Sequence, residues 1–175
     1  MSLVFIMDLH VNSGENVNNI ISENAKIGKN VKIGSFCIIE EGVEIGDNTV
    51  IKNYVELRSG TVIGKNCYID SRVSSSGKNI VGDNVTIRYD TILARGVAVG
   101  DNTYICPRVM TNNLDKAQDA HGGAKIGSDC FIGTNAVLQH GITICSETIV
   151  GSMSFVNKNI TEQGVYVGTP AKKIR

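Results

Sequence analysis

An aliphatic side chain returns every sixth residue along most of this chain. The series runs Ile21, Ile27, Ile33, Ile39, Ile45, Ile51, Leu57, Ile63 and Ile69, passes over Ser75, and continues with Val81, Ile87, Leu93, Val99 and Ile105. After a break it restarts at Ile126 and proceeds through Ile132, Leu138, Ile144 and Val150 to Val156. The fifth residue of each window is small or aliphatic, and its exception, Asn79, shares a window with Ser75. Neither the 3.6-residue helical period nor plain alternation describes this pattern. A six-residue unit that buries its first and fifth positions describes a short strand followed by a corner. Gly-x-Asn recurs at Gly28/Asn30, Gly46/Asn48, Gly64/Asn66, Gly82/Asn84 and Gly100/Asn102, always 18 residues apart and hence three units apart. Gly and Asn tolerate a left-handed backbone better than other residues. One corner of a three-sided coil is therefore expected to require that conformation once per turn. Gly42, Gly60 and Gly96 mark a second corner on the same grid, with Lys78 as its exception.

Composition narrows the function classes. Aromatic residues make up 5% of the 175 and Trp is absent, so the core must be aliphatic. Lys and Arg number 17, as do Asp and Glu. A balanced charge argues against binding to nucleic acid or to a membrane surface. The five cysteines, Cys37, Cys67, Cys106, Cys130 and Cys145, form no CxxC pair and no Cys/His metal spacing. That pattern predicts reduced thiols in a cytoplasmic protein, with no metal. Leu3–Met7 is too short for a secretory leader, and no stretch reaches membrane-spanning length.

The break holds the candidate site. From Ile105 to Ile126 is 21 residues, which is not a multiple of six. If 111–116 is one more face and 117–125 a nine-residue excursion, Gly127-Ser128-Asp129 falls on the Gly-x-Asn corner and Gly141 on the corner of Gly42, Gly60 and Gly96. This phasing gathers Arg95, Asn112, Asn113, Gln139 and His140 at one corner, near the root of a loop carrying His121. Loops leaving a rigid scaffold commonly carry function. A further polar group, Arg88-Tyr89-Asp90, occupies another corner.

These hexads, in multiples of three, resemble the left-handed parallel β-helix of the hexapeptide-repeat acyltransferases. The resemblance implies an all-β, single-domain left-handed parallel β-helix of about seven coils of three hexapeptides with one protruding loop. It spans 21–161, with the external loop near 111–125, an N-terminal cap over 1–20 and a C-terminal tail over 162–175. Pro107-Arg108-Val109-Met110-Thr111-Asn112-Asn113 looks like the Pro-x-Val-x-Phe-Thr-Asn segment of nucleotide-sugar N-acetyltransferases. Thr111 and Asn112 stand where Phe and Thr are usual. Val150-Gly151-Ser152-Met153-Ser154-Phe155-Val156-Asn157-Lys158-Asn159-Ile160 looks like the family's (Ile/Val)-Gly-Ala-Gly-Ser-x-Val-Thr-Lys-Asp-Ile run. Gly168-Thr169-Pro170-Ala171-Lys172-Lys173-Ile174 looks like its Gly-x-Pro-Ala-Lys-x-Ile ending.

By that resemblance, acetyl-CoA is the co-substrate. Gly133, Gly151 and Ser152 line its pantetheine groove, a backbone N–H near Gly133 or Gly151 is the oxyanion donor, and Lys158, Lys172 and Arg175 sit near its phosphates. Candidate catalytic residues are His121, His140 and Asn112; candidate substrate contacts are Arg88, Tyr89, Asp90, Arg95, Asn113 and Gln139. The implied activity is N-acetylation of a nucleotide-linked amino sugar by a homotrimer. The runner-up is a sugar or serine O-acetyltransferase, for which a hydroxyl nucleophile needs a base such as His. A γ-type carbonic anhydrase needs three His around a metal, and only His121 and His140 lie within the repeats. A non-catalytic solenoid would favour flat Thr arrays, whereas the outward positions here are mixed. Val62, Ile80 and Ala98 share an outward column suited to pairing between subunits.

Overall fold

The structure is a computed structural model that describes residues 18–119 and 122–175. The described residues form a left-handed parallel β-helix whose three faces are sheets of eight, seven and nine strands. The first face runs from Ile20–Ile21 to Phe155–Val156, the second from Lys26–Ile27 to Thr143–Ile144, and the third from Lys32–Ile33 through Thr148–Val150. Each strand pairs in parallel with the one a coil away, as Ile21 does with Ile39 and Ile45 with Ile63. Parallel neighbours need a long connection, and here the connection consists of the other two faces. The third face continues beyond the hexads with Gly164–Val167, parallel to Thr148–Val150, and Lys172–Lys173, antiparallel to it. That extra rung brings the solenoid to about eight turns, against about seven read from the hexads alone.

The hexad grammar is visible in the burial. First-position residues such as Ile39, Leu57, Ile87 and Leu138 are at most 1% exposed, as are fifth-position residues such as Val43, Val55 and Val85. Each fully buried Ile or Leu contributes about 1.5–3 kcal/mol, so a thin core repeated over many coils suffices. Cys37, Cys67 and Cys130 fill fifth positions, and burial raises their thiol pKa values.

The corners differ chemically. At the second corner, between the second and third faces, Asn30, Asn48, Asn66, Asn84 and Asn102 all have φ between 55° and 60°. Their amides form a ladder, each Nδ2 donating to the next Oδ1 at 3.1–3.3 Å, that ends on Asp129. At the third corner, between the third and first faces, the left-handed position holds Phe36, Tyr54, Arg72, Asp90, Arg108, Asn135 and Met153. Phe36 and Tyr54 stack there with centroids 5.1 Å apart.

The break lies at the first corner, between the first and second faces. Met110–Thr111 belongs to the first face and Lys125–Ile126 to the second. Ala124 is fully buried in a fifth position, and its carbonyl accepts from Ala98 N at 3.0 Å. The nine extra residues therefore follow Asn113 and end before Gly123, three residues earlier than the 117–125 expected from periodicity. The reason is close packing: a Cβ on Gly123 would strike Val97 N and Gly96 C, so the chain is already on the coil there. The phase itself holds, since Asp129 ends the Asn ladder and Gly141 has φ 65° like Gly42. Among the described residues no helix is long and apolar enough to cross a membrane.

Candidate active site

The register stacks the candidate acceptor residues. Thr111 pairs with Leu138, so Asn112 lies under Gln139 and Asn113 under His140, with Arg95 one coil further down. Asn112 N donates to Leu138 O at 3.0 Å and Gly141 N to Gly122 O at 3.0 Å, which fixes the floor on both sides of the loop root. Gln139 Nε2 and His140 Nε2 are 3.4 Å apart, and both residues are half-buried. The amides of Asn112 and Asn113 make no side-chain hydrogen bond to the described residues. Within the loop, Asp115 Oδ1 accepts from Ala117 N at 2.8 Å and Asp119 N at 3.0 Å, and Gln118 N donates to Asp115 O at 3.1 Å. One aspartate thus folds the tip into a tight local turn. His121 lies outside the described residues.

The other candidates lie elsewhere on the prism. Lys158 follows Val156 on the first face and so joins the column of Arg95, Asn113 and His140 rather than that of Ser152. Gly133, Gly151 and Ser152 lie at the third corner, after the strands Phe131–Ile132 and Thr148–Val150. The N–H of Gly133 donates to Val150 O and that of Gly151 to Tyr166 O, both at 2.8 Å. Neither N–H is available as the oxyanion donor expected near them, because each is consumed by coil stacking. The exposed Ser152 keeps its N–H unpaired among the described residues. Lys172 and Arg175 are exposed on the final hairpin, Lys172 opposite Val167 at the Gly151 end of the face and Arg175 against Val165, toward its other end; Gly168 N donates to Ser154 Oγ and Ala171 N to Phe155 O.

Arg88-Tyr89-Asp90 also lies at the third corner, one face from His140. Arg88 Nε reaches Asp70 Oδ2 at 3.0 Å and Nη1 reaches Tyr104 Oη at 2.7 Å, and these bonds hold the guanidinium more firmly protonated than usual. Arg72 sits 5.9 Å over the Tyr89 ring, and Arg108 Nε is 3.8 Å from Asp90 Oδ2. All three members already have partners within the chain. The outward column Val62, Ile80 and Ala98 is in register on the second face, and Ile80 is 60% exposed. Among the described residues no three His, Cys, Asp or Glu side chains cluster to hold a metal ion.

Residues 24–59 and 123–158 match the family "Bacterial transferase hexapeptide (six repeats)". A chloramphenicol acetyltransferase of Klebsiella aerogenes is 40% identical over 66 residues, 38% of this chain and 31% of that protein. The chain thus spans about a third of the length of the relatives it matches. Among solved structures, the UDP-N-acetylglucosamine acyltransferase of Francisella novicida aligns with a TM-score of 0.73 at 23% identity, over 89% of this chain and 67% of that one. AntD, an N-acyltransferase from Bacillus cereus solved as its D94A mutant with dTDP and coenzyme A, aligns with a TM-score of 0.52 at 20% identity, over 90% and 80%. Over residues 24–59 and 123–158 the chain is similar to the bacterial transferase hexapeptide family, and it shares the left-handed parallel β-helix of the solved structures.

Proposed function

We propose that this protein is an acyl-CoA-dependent N-acyltransferase. It transfers an acetyl group to an amine on a nucleotide-linked sugar, in the cytoplasmic synthesis of surface polysaccharide or glycoconjugate. The observation that carries this reading is the stacking of Asn112, Asn113, Gln139 and His140 at the root of the interruption. A repeat scaffold needs no such group there. The 40% identity to a chloramphenicol acetyltransferase over 66 residues supports acetyl transfer. The same scaffold carries dTDP and coenzyme A in the Bacillus cereus N-acyltransferase.

The chemistry asks little of the protein. A neutral amine attacks the thioester carbonyl, the C–N bond forms, the C–S bond breaks, and the amine proton leaves. His140 accepts that proton, and the thiolate departs as coenzyme A thiol after protonation. Asn112 and Asn113 orient the sugar through amides that have no other side-chain partner here. Ser152 N–H is the oxyanion donor, since its neighbours' N–H groups are spent on stacking. Lys172 and Arg175 provide cations for the coenzyme phosphates, and Lys158, on the acceptor edge, adds a third across the shared site.

Acceptor and donor groups sit on different edges. A face of six residues at about 3.3 Å each separates them by roughly 20 Å. One chain cannot bring them together; a second copy, with its donor edge beside this acceptor edge, can. Closed symmetry makes the assembly a homotrimer with three shared sites, and Val62, Ile80 and Ala98 offer an apolar patch to it. An O-acyl acceptor is the second reading, favoured by the imidazole of His140.

The test is thiol release from acetyl-CoA over a panel of UDP- and dTDP-amino sugars and their hydroxyl analogues. We expect release that depends on an amino sugar, falling about 10²–10⁴-fold in His140→Ala. Release with hydroxyl analogues alone selects the O-acyl reading, and no acceptor-dependent release with any compound rejects acyl transfer.

A further inference from the structure

The inward residues of the first face read Ile21, Ile39, Leu57, Ser75, Leu93, Thr111, Leu138 and Val156. Two hydroxyls interrupt an aliphatic ladder, and both adjoin the coil that carries Arg95. They belong to a buried polar line directly behind the first corner. Thr61 Oγ1 lies 2.6 Å from both Arg58 O and Ser75 Oγ, Ser75 Oγ donates to Asn79 Oδ1, and Asn79 Nδ2 donates to Ala94 O at 2.7 Å. Ala94 N donates to Thr111 Oγ1 at 2.7 Å, which carries the line up to the coil of Asn112 and Asn113.

The outer surface records the consequence. Gly77 N donates to Ser75 Oγ at 3.3 Å, and Gly77 is buried where its column neighbours Ser59, Asn113 and His140 are half-exposed and Arg95 is exposed. Gly77 and Lys78, at φ 96° and 53°, are the only adjacent left-handed pair among the described residues. A Cβ on Gly77 would lie 2.9 Å from Ser59 O, 3.5 Å from Arg58 Cβ and 3.5 Å from Arg95 Nη2. The column therefore lacks a side chain at Gly77, and the Arg95 guanidinium lies over this notch, with Nη2 3.5 Å from where a Cβ would be. Lys78 replaces glycine in the column of Gly60, Gly96 and Gly141, and so accepts a strained backbone in order to place an ammonium there. Arg58 is paired with Glu56 at 2.8 Å, whereas Arg95 and Lys78 have no carboxylate partner among the described residues.

We propose that the Gly77 notch, with Arg95 and Lys78, is a diphosphate-binding subsite of the acceptor edge. An arginine fork and a lysine point charge on adjacent coils suit two linked phosphates. Coils rise about 4.8 Å each, so the two cations lie roughly 5 and 10 Å below Asn113. A diphosphate held there reaches Asn113 and His140 with the group attached to it. The inference rests on reading this corner as the acceptor edge, and both a nucleotide sugar and coenzyme A carry such a diphosphate.

Calorimetric titration of the full-length protein with UDP, dTDP, inorganic pyrophosphate and coenzyme A tests it, alongside thiol release. Arg95→Gln and Lys78→Gln are expected to weaken diphosphate binding at least tenfold each, while Lys65→Gln, on another corner, changes nothing. Both residues are exposed, and unchanged melting curves verify that the variants are folded. Weakening confined to UDP, dTDP and pyrophosphate assigns the notch to the nucleotide sugar; weakening confined to coenzyme A assigns it to the donor. Unchanged affinity for all four ligands in a protein that still releases thiol overturns the notch alone. Failure of the wild-type protein to bind any of them, with no thiol release, overturns the acyltransferase reading as well.

Discussion

Ser75 has three partners for its hydroxyl: Thr61 and Asn79 through side chains and Gly77 through its N–H. Replacing it with Val leaves Asn79 Oδ1 and Gly77 N without a partner in a site closed to water. The expected loss is about 1–3 kcal/mol in urea unfolding, the desolvation cost of a stranded buried group. Ser75→Val/Asn79→Val should lose less than the sum of the single variants, because each removes a partner of the other. Additive losses would show that the two side chains do not act as a unit. The buried cysteines give a residue-scale pH dependence. Burial raises the pKa of Cys37, Cys67 and Cys130, so the folded chain keeps these protons to higher pH than the unfolded chain does. Their contribution is intact below about pH 8.5 and is lost as pH rises above it. Urea midpoints should hold steady from pH 7 to 8 and fall above pH 9, with a smaller fall in Cys67→Val. An unchanged slope in that variant would remove Cys67 as a cause.

The asparagine ladder is the element that most clearly links sequence to coil. Asn66 has φ 55°, donates to Asn84 and accepts from Asn48. Asn66→Ala loses the ladder bonds and replaces a residue that tolerates the left-handed backbone with one that does not, a penalty of about 1–2 kcal/mol. Asn66→Gly loses the bonds alone. Thermal midpoints should therefore rank wild type, then Gly, then Ala; Ala above Gly would mean that backbone conformation does not govern this corner. The ladder also shows what the sequence makes legible. Its 18-residue step reveals three faces, because only one corner per coil selects Asn, and the ending on Asp129 fixes the phase across the break. The third corner is silent in sequence: Phe36, Tyr54, Arg72 and Met153 occupy left-handed positions that residue type alone would not suggest. Periodicity alone places the loop three residues too late, because Ala124 and Lys125 resemble loop residues in sequence whereas Ala98 N donates to Ala124 O in the coil. The notch had a signal, the joint exception of Ser75, Lys78 and Asn79, but periodicity reads it only as a fault. Hydrogen bonding reveals it as a buried polar line with an outward consequence. Likewise, Lys158 follows Ser152 by six residues, yet it turns onto a different edge.

At the scale of the molecule, a solenoid separates what the proposed reaction must join. Coil-to-coil contacts make a rigid rod, so its edges cannot fold toward each other, and the roughly 20 Å between acceptor and donor edges is fixed by the length of a face. The proposed function therefore requires two copies to complete each site. Asn113→Ala disables the acceptor edge, and Ser152→Trp, at an exposed corner, blocks the donor edge. Each variant alone should have little activity. When the two are unfolded, mixed in equal amounts and refolded together, about a quarter of the interfaces in a cyclic assembly join an intact acceptor edge to an intact donor edge. Thiol release from acetyl-CoA should then return to about a quarter of the wild-type rate. A mixture no more active than its components, while refolded wild type recovers fully, would contradict the shared site.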